Sequence, residues 1–332
     1  MKITFFSAKL YDKESFKKAN EHYPFELEFF ETHLGPHSVQ MVNRATVVCA
    51  FVNDKLTRPV LEVLAERGVK IIALRCAGFN NLDIDSAKEL GLKVCRVPAY
   101  SPEAVAEHAL AMIMTLNRKT HKAYNRVREQ NFALQGLLGF DICGKTVGVI
   151  GTGNIGKAFI RIMLGMGCKV VAYDLYPDEK LMEQGVSFLP LEDLLHQSDI
   201  ISLHCPLTEQ TFHIIRKENI AMMKHGVMII NTGRGKLIDT KDAIEALKSG
   251  QVGYLGIDVY EQEEQLFFRD LSADIIQDDL IQRLMSFPNV LLTAHQAFFT
   301  QEALSQIAQV TLGNIDDLIN QKEMRVKGAL VV

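Results

Sequence analysis

The sequence predicts an α/β protein built from doubly wound parallel sheets in two domains. Short apolar runs rich in β-branched residues alternate with helix-length segments from one end of the chain to the other. Within each run the apolar residues are continuous, as in strands covered on both faces. The 332 residues, at ~150 per domain, call for about two domains with a core each. A net charge of −4 provides no field to gather nucleic acid or anionic lipid, so those partners are not expected.

In chain order the expected strands are ITFFS (3 to 7), TVVCAFV (46 to 52), VKIIAL (69 to 74), TVGVIG (146 to 151) and KVVAYD (169 to 174), then DIISLH (199 to 204), VMIIN (227 to 231), YLGIDVY (254 to 260) and NVLLTAH (289 to 295). A seam falls near residue 100. There Ser101, Pro102 and Glu103 supply an N-cap residue, a first-turn proline and an acidic first turn. The helix they open, AVAEHALAMIMTLN, is apolar nearly all round and is expected to be buried between domains. Arg118, Lys119, Lys122, Arg126 and Arg128 behind it read as a solvated helix face. Leu304, Ile307, Ala308, Ile315, Leu318 and Ile319 recur at helical spacing, so the tail is a packed helix.

Six cysteines without a C-x-x-C pair read as reduced, buried thiols of a cytoplasmic chain. The four-residue apolar run near Met1 is too short for an export signal, and no run approaches the ~18 apolar residues of a spanning helix. No cluster has metal-ligand spacing, so no metal is expected.

Gly151-Thr152-Gly153-Asn154-Ile155-Gly156 directly follows the strand TVGVI and opens a helical pattern. The first glycine permits a tight turn, the second lets backbone approach a pyrophosphate, and the third packs helix on strand. The next strand ends in Asp174, which accepts from a ribose 2′-hydroxyl and repels a 2′-phosphate. Together these describe a Rossmann domain for NAD rather than NADP. Upstream, Gly139 to Thr146 satisfies G-x-x-x-x-G-K-T letter for letter. Yet it leads into a strand instead of leaving one for a helix, so it is a connector.

With NAD at the C-terminal edge of the sheet, reactive groups belong on later strand ends. Hydride transfer to a 2-keto acid needs a guanidinium to hold the carboxylate, and Arg234 after VMIIN suits that task. It also needs a proton donor titrating near neutrality. His295 and His204 both end strands. A carboxylate favours imidazolium, and Glu263 is available to His295, with Asp258 nearby in sequence. His22, His33, His37, His121, His196, His213 and His225 read as surface or loop residues, and His108 as a helix residue.

The runs FVND (51 to 54), RCAGFNN (75 to 81), RVPAYSPEAVAEHA (96 to 109), GTGNIG (151 to 156), LHCPLT (203 to 208), NTGRG (231 to 235), DVYE (258 to 261) and HQAF (295 to 298) together resemble the D-specific 2-hydroxyacid dehydrogenases, their fermentative D-lactate branch most closely, over nearly the whole chain. The resemblance implies a flavodoxin-like substrate domain from residues 1–100 plus 300–332, and a cofactor domain from 101–299. It implies Arg234 for the substrate, His295 as proton donor and acceptor, Glu263 as its partner, and Asp258 as a supporting acid near the arginine and the cofactor. His204 then lies near the nicotinamide, with Cys205, Pro206, Thr232 and Gly233 along the cofactor. Cys76, Ala77 and Gly78 offer backbone amides to the substrate carboxylate, and Tyr100 and Phe299 wall the substrate methyl. Gly233 stands where many relatives carry serine or alanine, which gives that loop extra freedom.

The implied activity is reversible reduction of pyruvate to D-lactate by NADH, with domain closure drying the site. A homo-oligomer, dimer or tetramer, is expected, with pyruvate or D-lactate as the small-molecule partner. Two alternatives remain: a reductase of a larger oxo acid, of 2-hydroxyisocaproate or hydroxypyruvate type, and an NADH-sensing corepressor-like binding protein.

Overall fold

The computed structural model describes residues 1–332, apart from the side chain of Gln265. The chain divides into two compact units, Met1–Ser101 with Phe298–Val332, and Pro102–Ala297. The first unit carries β1 (Lys2–Phe5), β2 (Glu26–Phe29), β3 (Val47–Ala50), β4 (Ile71–Leu74) and β5 (Lys93–Arg96), in the order β2-β1-β3-β4-β5. The second carries β6 (Thr146–Ile150), β7 (Lys169–Tyr173), β8 (Ser187–Phe188), β9 (Ile200–Leu203), β10 (Val227–Asn231), β11 (Val252–Ile257) and β12 (Val290–Leu292). Their order is β12-β11-β10-β9-β6-β7-β8, and both sheets pair in parallel. This is the doubly wound α/β class the apolar runs indicated.

All nine expected runs contain a strand, with ends shifted in most, while β2, β5 and β8 went unread. Each of these three lies at a sheet edge. An edge strand is covered less, so ELEF and KVCR tolerate charged residues that interrupt an apolar run. β5 is sheltered differently: Arg96 N–H donates to Ala329 O (2.8 Å), Val331 N–H to Val94 O (2.8 Å) and Val94 N–H to Val332 O (3.0 Å). The helix Gln301–Ile319 packs its Ala303, Ile307, Ala308, Leu312 and Ile315 side within this unit, against β4, β5 and the helix Leu10–Ala19.

In the second unit alternate strand residues feed two cores. Ile201, Leu203 and Ile229 join one, and Ile200, Met228 and Ile230 the other, as sheet geometry requires when both faces are covered. The helix Pro102–Arg118 lies on the second of these. It is not apolar all round in effect: Glu103, Glu107, Ala111 and Arg118 remain exposed while Ala106, Ala109, Met112, Ile113 and Leu116 are buried. Alanine lets the helix approach closely, and Gly256 makes room below it, since a Cβ there would stand 3.1 Å from Leu116 Cδ1. The connector Gly139–Thr146 docks on the helix end, where Asn117 donates to Phe140 O (2.7 Å) and accepts from Phe140 N–H (2.8 Å). The helix Thr120–Arg128 buries no residue, in line with a solvated basic face. Five cysteines are buried and Cys143 is exposed, which corrects the expectation that all six are buried. Among the described residues no helix is long and apolar enough to cross a membrane.

Candidate active site

The strand order of the second unit reverses between β6 and β9, the switch point where α/β sheets open a crevice at their C-terminal edge. β6 delivers Gly151 at φ +95°, and a Cβ there would lie 2.4 Å from Cys205 N, so the exits of β6 and β9 touch backbone to backbone. Gly156 has a parallel reason, since its Cβ would stand 2.1 Å from Gly151 O. Gly153 differs: nothing lies within 4 Å of where its Cβ would be. It caps the helix Asn154–Gly165 without a side-chain bond, leaving the first-turn amides open toward that space.

Asp174, just past β7, accepts from Thr152 N–H (2.6 Å), Thr152 Oγ1 (3.0 Å) and Tyr176 N–H (3.0 Å). Partial burial opposes its ionisation, but these donors prevail and hold the carboxyl below the usual range. Among the described residues Thr232 Oγ1 is buried without a partner. Cys205 is buried, which pushes its thiol up to about 11, and Pro206 beside it is exposed. An open helix N-terminus, an ionised strand-end carboxylate and an orphan hydroxyl fit a dinucleotide. Gly153→Val should fold normally, because its φ of −65° suits any residue, yet lose NADH affinity by about tenfold or more, ~1.4 kcal/mol. Titration by NADH fluorescence, in a chain without tryptophan, measures this, and unchanged affinity would move the pyrophosphate elsewhere.

The loops after β11 and β12 are tied together by Asp258. Its carboxylate is fully buried and accepts from Thr293 Oγ1 (2.6 Å), Gln296 N–H (2.9 Å) and Ala297 N–H (2.9 Å), while its carbonyl accepts from His295 N–H (2.7 Å). Burial opposes ionisation, but His108, Thr293 and the two amides hold this carboxyl below its ordinary range. His108 Nε2 lies 3.2 Å from Thr293 Oγ1 and 3.5 Å from Asp258 Oδ1. Asp258 therefore spends its oxygens on shaping the turn that carries His295.

That turn holds His295 at φ +54°, a left-handed conformation rare outside glycine. The ring Nδ1 then meets Glu263 Oε1 at 2.8 Å, and Glu263 Oε2 accepts from Tyr260 N–H at 2.9 Å. An ionised carboxylate only accepts, so Nδ1 carries the proton toward Glu263. Among the described residues Nε2 has no partner, and the side chain is 18% exposed, so Nε2 is the atom available for proton exchange. The rival His204 is enclosed: its Nε2 lies 2.9 Å from Ser202 Oγ, its ring centroid 4.9 Å from that of Phe159, and burial drives its pKa down to about 3. It stays neutral near pH 7.

Arg234 follows β10. Asn231 brackets its loop, accepting from Gly233 N–H (3.0 Å) and donating to Arg234 O (2.9 Å), so Gly233 is pinned rather than free. Gly235 lies against the β11 exit, since a Cβ there would stand 2.1 Å from Tyr260 C. This contact seats the arginine loop on the segment bearing Asp258 and Glu263. Arg234 Nη1 donates to Gly233 O (2.8 Å), and among the described residues no carboxylate pairs with this guanidinium.

In the first unit, Cys76 Sγ donates to Gly78 O (3.2 Å), Arg96 Nη1 donates to Ala77 O (2.7 Å), and Cys76 O accepts from Val97 N–H (3.2 Å). The carbonyls of this loop are thus taken, while the amides of Ala77 and Gly78 donate to no other group among the described residues. Tyr100 meets Phe298 edge-on at 6.1 Å, and Phe299, 49% exposed, meets Tyr11 edge-on at 4.7 Å. Sequence reasoning missed what supports this loop. Arg75, fully buried, donates to Phe6 O (2.9 Å), Ser7 O (2.8 Å) and Asp12 Oδ1 (3.2 Å) with its guanidinium 4.8 Å from the centre of the Phe51 ring. Asp54 accepts from Ser7 Oγ (2.6 Å), Leu34 N–H (2.7 Å) and Phe51 N–H, so the exits of β1, β3 and β4 share one polar knot. The only hint was a charged residue ending the apolar run VKIIAL.

The chain is similar over nearly its whole length to known proteins. A family model described as "D-isomer specific 2-hydroxyacid dehydrogenase, NAD binding domain" matches residues 110–297. Over 318 residues the chain is 55% identical to a D-lactate dehydrogenase of Escherichia coli, covering 96% of this chain and 97% of that one. It is 54% identical to a 2-hydroxyacid dehydrogenase homolog of Haemophilus influenzae over 97% of each chain. The apo structure of D-lactate dehydrogenase from Escherichia coli superposes with a TM-score of 0.92 at 51% identity over both whole chains. A D-2-hydroxyisocaproate dehydrogenase does so at 0.87 and 32% identity, covering 100% of this chain and 99% of that one.

Proposed function

The chain belongs to the D-isomer specific 2-hydroxyacid dehydrogenases, NAD-dependent enzymes, and from that premise we propose that it reduces pyruvate reversibly to D-lactate. The observation that carries the chemistry is the 2.8 Å contact between His295 Nδ1 and Glu263 Oε1, which fixes the ring with Nε2 open. The lactate assignment is supported by the 55% identity to a relative of that name.

When bound, NADH would supply the hydride; Gly151, Gly153, Asn154, Ile155 and Gly156 would hold its pyrophosphate and Asp174 its ribose, with His204, Cys205, Pro206, Thr232 and Gly233 beside the remainder. Arg234, lacking an internal anion, binds the oxo-acid carboxylate and polarises the keto oxygen. His295 Nε2 gives its proton to that oxygen as negative charge develops, and takes it back in the reverse direction. Glu263 stabilises the ring while it carries both protons, and Asp258 keeps the turn in place. The unengaged amides of Ala77 and Gly78 suit a carboxylate, and the Tyr100 and Phe299 rings suit a small methyl group.

The role is fermentative cofactor recycling in the cytoplasm. A homo-oligomer is supported by Tyr124, Val127, Phe132, Leu134 and Leu138, exposed apolar side chains within a short stretch of the second unit.

Steady-state NADH oxidation with pyruvate, 2-ketoisocaproate and hydroxypyruvate tests the reading. We expect kcat/KM to be highest for pyruvate, although one methylene changes discrimination by only ~1–3 kcal/mol. A branched or hydroxylated optimum would reassign the substrate. No oxidation with any of the three would leave an NADH-binding protein.

A further inference from the structure

His213, read as a surface or loop histidine, does lie in a turn, and the structure gives its ring partners there. Residues 213 to 215, beyond β9, lie beside the segment after Arg234 like a short strand pair: His213 N–H donates to Lys236 O (2.9 Å), Ile215 N–H to Leu237 O (3.0 Å) and Asp239 N–H to Ile215 O (2.9 Å). The backbone at His213 is left-handed, φ +50°, and its ring lies 3.9 Å from that of Phe212 at 22°. This turns the imidazole inward, where Nε2 meets Glu261 Oε1 at 2.8 Å and Nδ1 lies 3.3 Å from Asp239 Oδ2. Glu261 in turn accepts from Thr240 N–H through Oε2 (2.9 Å).

The elements joined this way are the catalytic ones. Glu261 directly follows Tyr260, whose amide orients Glu263, and whose backbone bears the Gly235 contact. Lys236 and Asp239 continue the loop of Arg234. The geometry points to His213 as a positioning residue: through Glu261 and Asp239 it clips the substrate arginine's loop to the loop holding the Glu263–His295 pair. The group acts through Glu261 and Asp239 rather than on a reacting atom. It sets the register between two reacting side chains that arrive from different strands. The His213–Glu261 contact is one hydrogen bond among the many that hold this unit together, so fold maintenance is not what the cluster supplies. Register is, because misplacement by ~1 Å in a reacting constellation costs on the order of 10²-fold in rate.

The inference rests on the dehydrogenase reading above, and the experiment separates the two. Wild type, His213→Ala, His213→Gln, Glu261→Ala and the double alanine variant are compared by unfolding midpoint, NADH titration and pyruvate kinetics. We expect His213→Ala to lose about 10- to 100-fold in kcat/KM, shared between a raised KM and a lowered kcat, with NADH affinity per site and midpoint close to wild type. His213→Gln, whose amide still donates to Glu261, should recover most of the loss. The double variant should be no worse than the poorer single one, because the pair acts as a unit. His213→Ala with wild-type kcat/KM, a loss matched by lost NADH sites or a lowered midpoint, or additive single effects would each overturn the inference alone. A wild-type protein that turns over no oxo acid would overturn the functional reading and this inference with it.

Discussion

His295→Gln lowers kcat for pyruvate reduction by about 10²- to 10⁴-fold while NADH still binds, the range expected when a positioned general acid is removed. The loss follows from a single atom. Glu263 holds Nδ1, Tyr260 holds Glu263, and Nε2 is left as the proton carrier. Glutamine occupies similar space and can hydrogen-bond a keto oxygen, but it delivers no proton to an alkoxide. The turn itself survives, because its hold on Asp258 runs through the backbone N–H of residue 295 and through the neighbouring amides. Cofactor binding survives too, since the glycine loop and Asp174 share no contact with this ring. His204 cannot substitute: protonating a ring whose pKa is about 3 at pH 7 costs roughly 5 kcal/mol at 1.36 kcal/mol per unit. Turnover within a few-fold of wild type would remove His295 from its role.

Arg75→Met destabilises the protein by ~3–5 kcal/mol, the cost of breaking a buried ion pair by removing one partner. Methionine fills much of the volume, so the loss is electrostatic rather than a cavity. Two backbone carbonyls, Phe6 O and Ser7 O, lose their donor, and Asp12 loses its counter-charge in a site where arginine is fully enclosed. Asp54 is affected as well. Burial already raises its pKa, with Arg75 the leading influence in the other direction, so without Arg75 it moves further toward the neutral acid. Denaturant titration reads the loss in the midpoint. A shift corresponding to less than about 1 kcal/mol would mean that the knot is not stabilised by its charge.

Different parts of this protein were legible for different reasons. The glycine loop was readable because strand, loop and helix are contiguous in sequence. Arg234, His295 and Glu263 were visible as chemistry but not as geometry: the pair that matters joins residues 32 apart, through a left-handed backbone at His295 that no propensity announces. Sequence alone left His204 a rival, since exclusion turns on the desolvation of one ring. The partners of His213 and the place of Arg75 were passed over because those partners come from distant strand exits, and a charged residue beside an apolar run looks the same whether solvated or enclosed. The edge strands β2, β5 and β8 lacked the apolar continuity that marked the others.

The pairing of residues 329–332 with β5 bears on how the polypeptide emerges from the ribosome. The first five strands leave the exit tunnel early, but the segment that shields the last of them follows an insert of about 200 residues, on the order of ten to forty seconds of translation later. Meanwhile β5 presents unpaired amides and carbonyls to any neighbouring extended chain. Nascent chains of this protein therefore pass through a window in which an extended edge waits for its late-made cover.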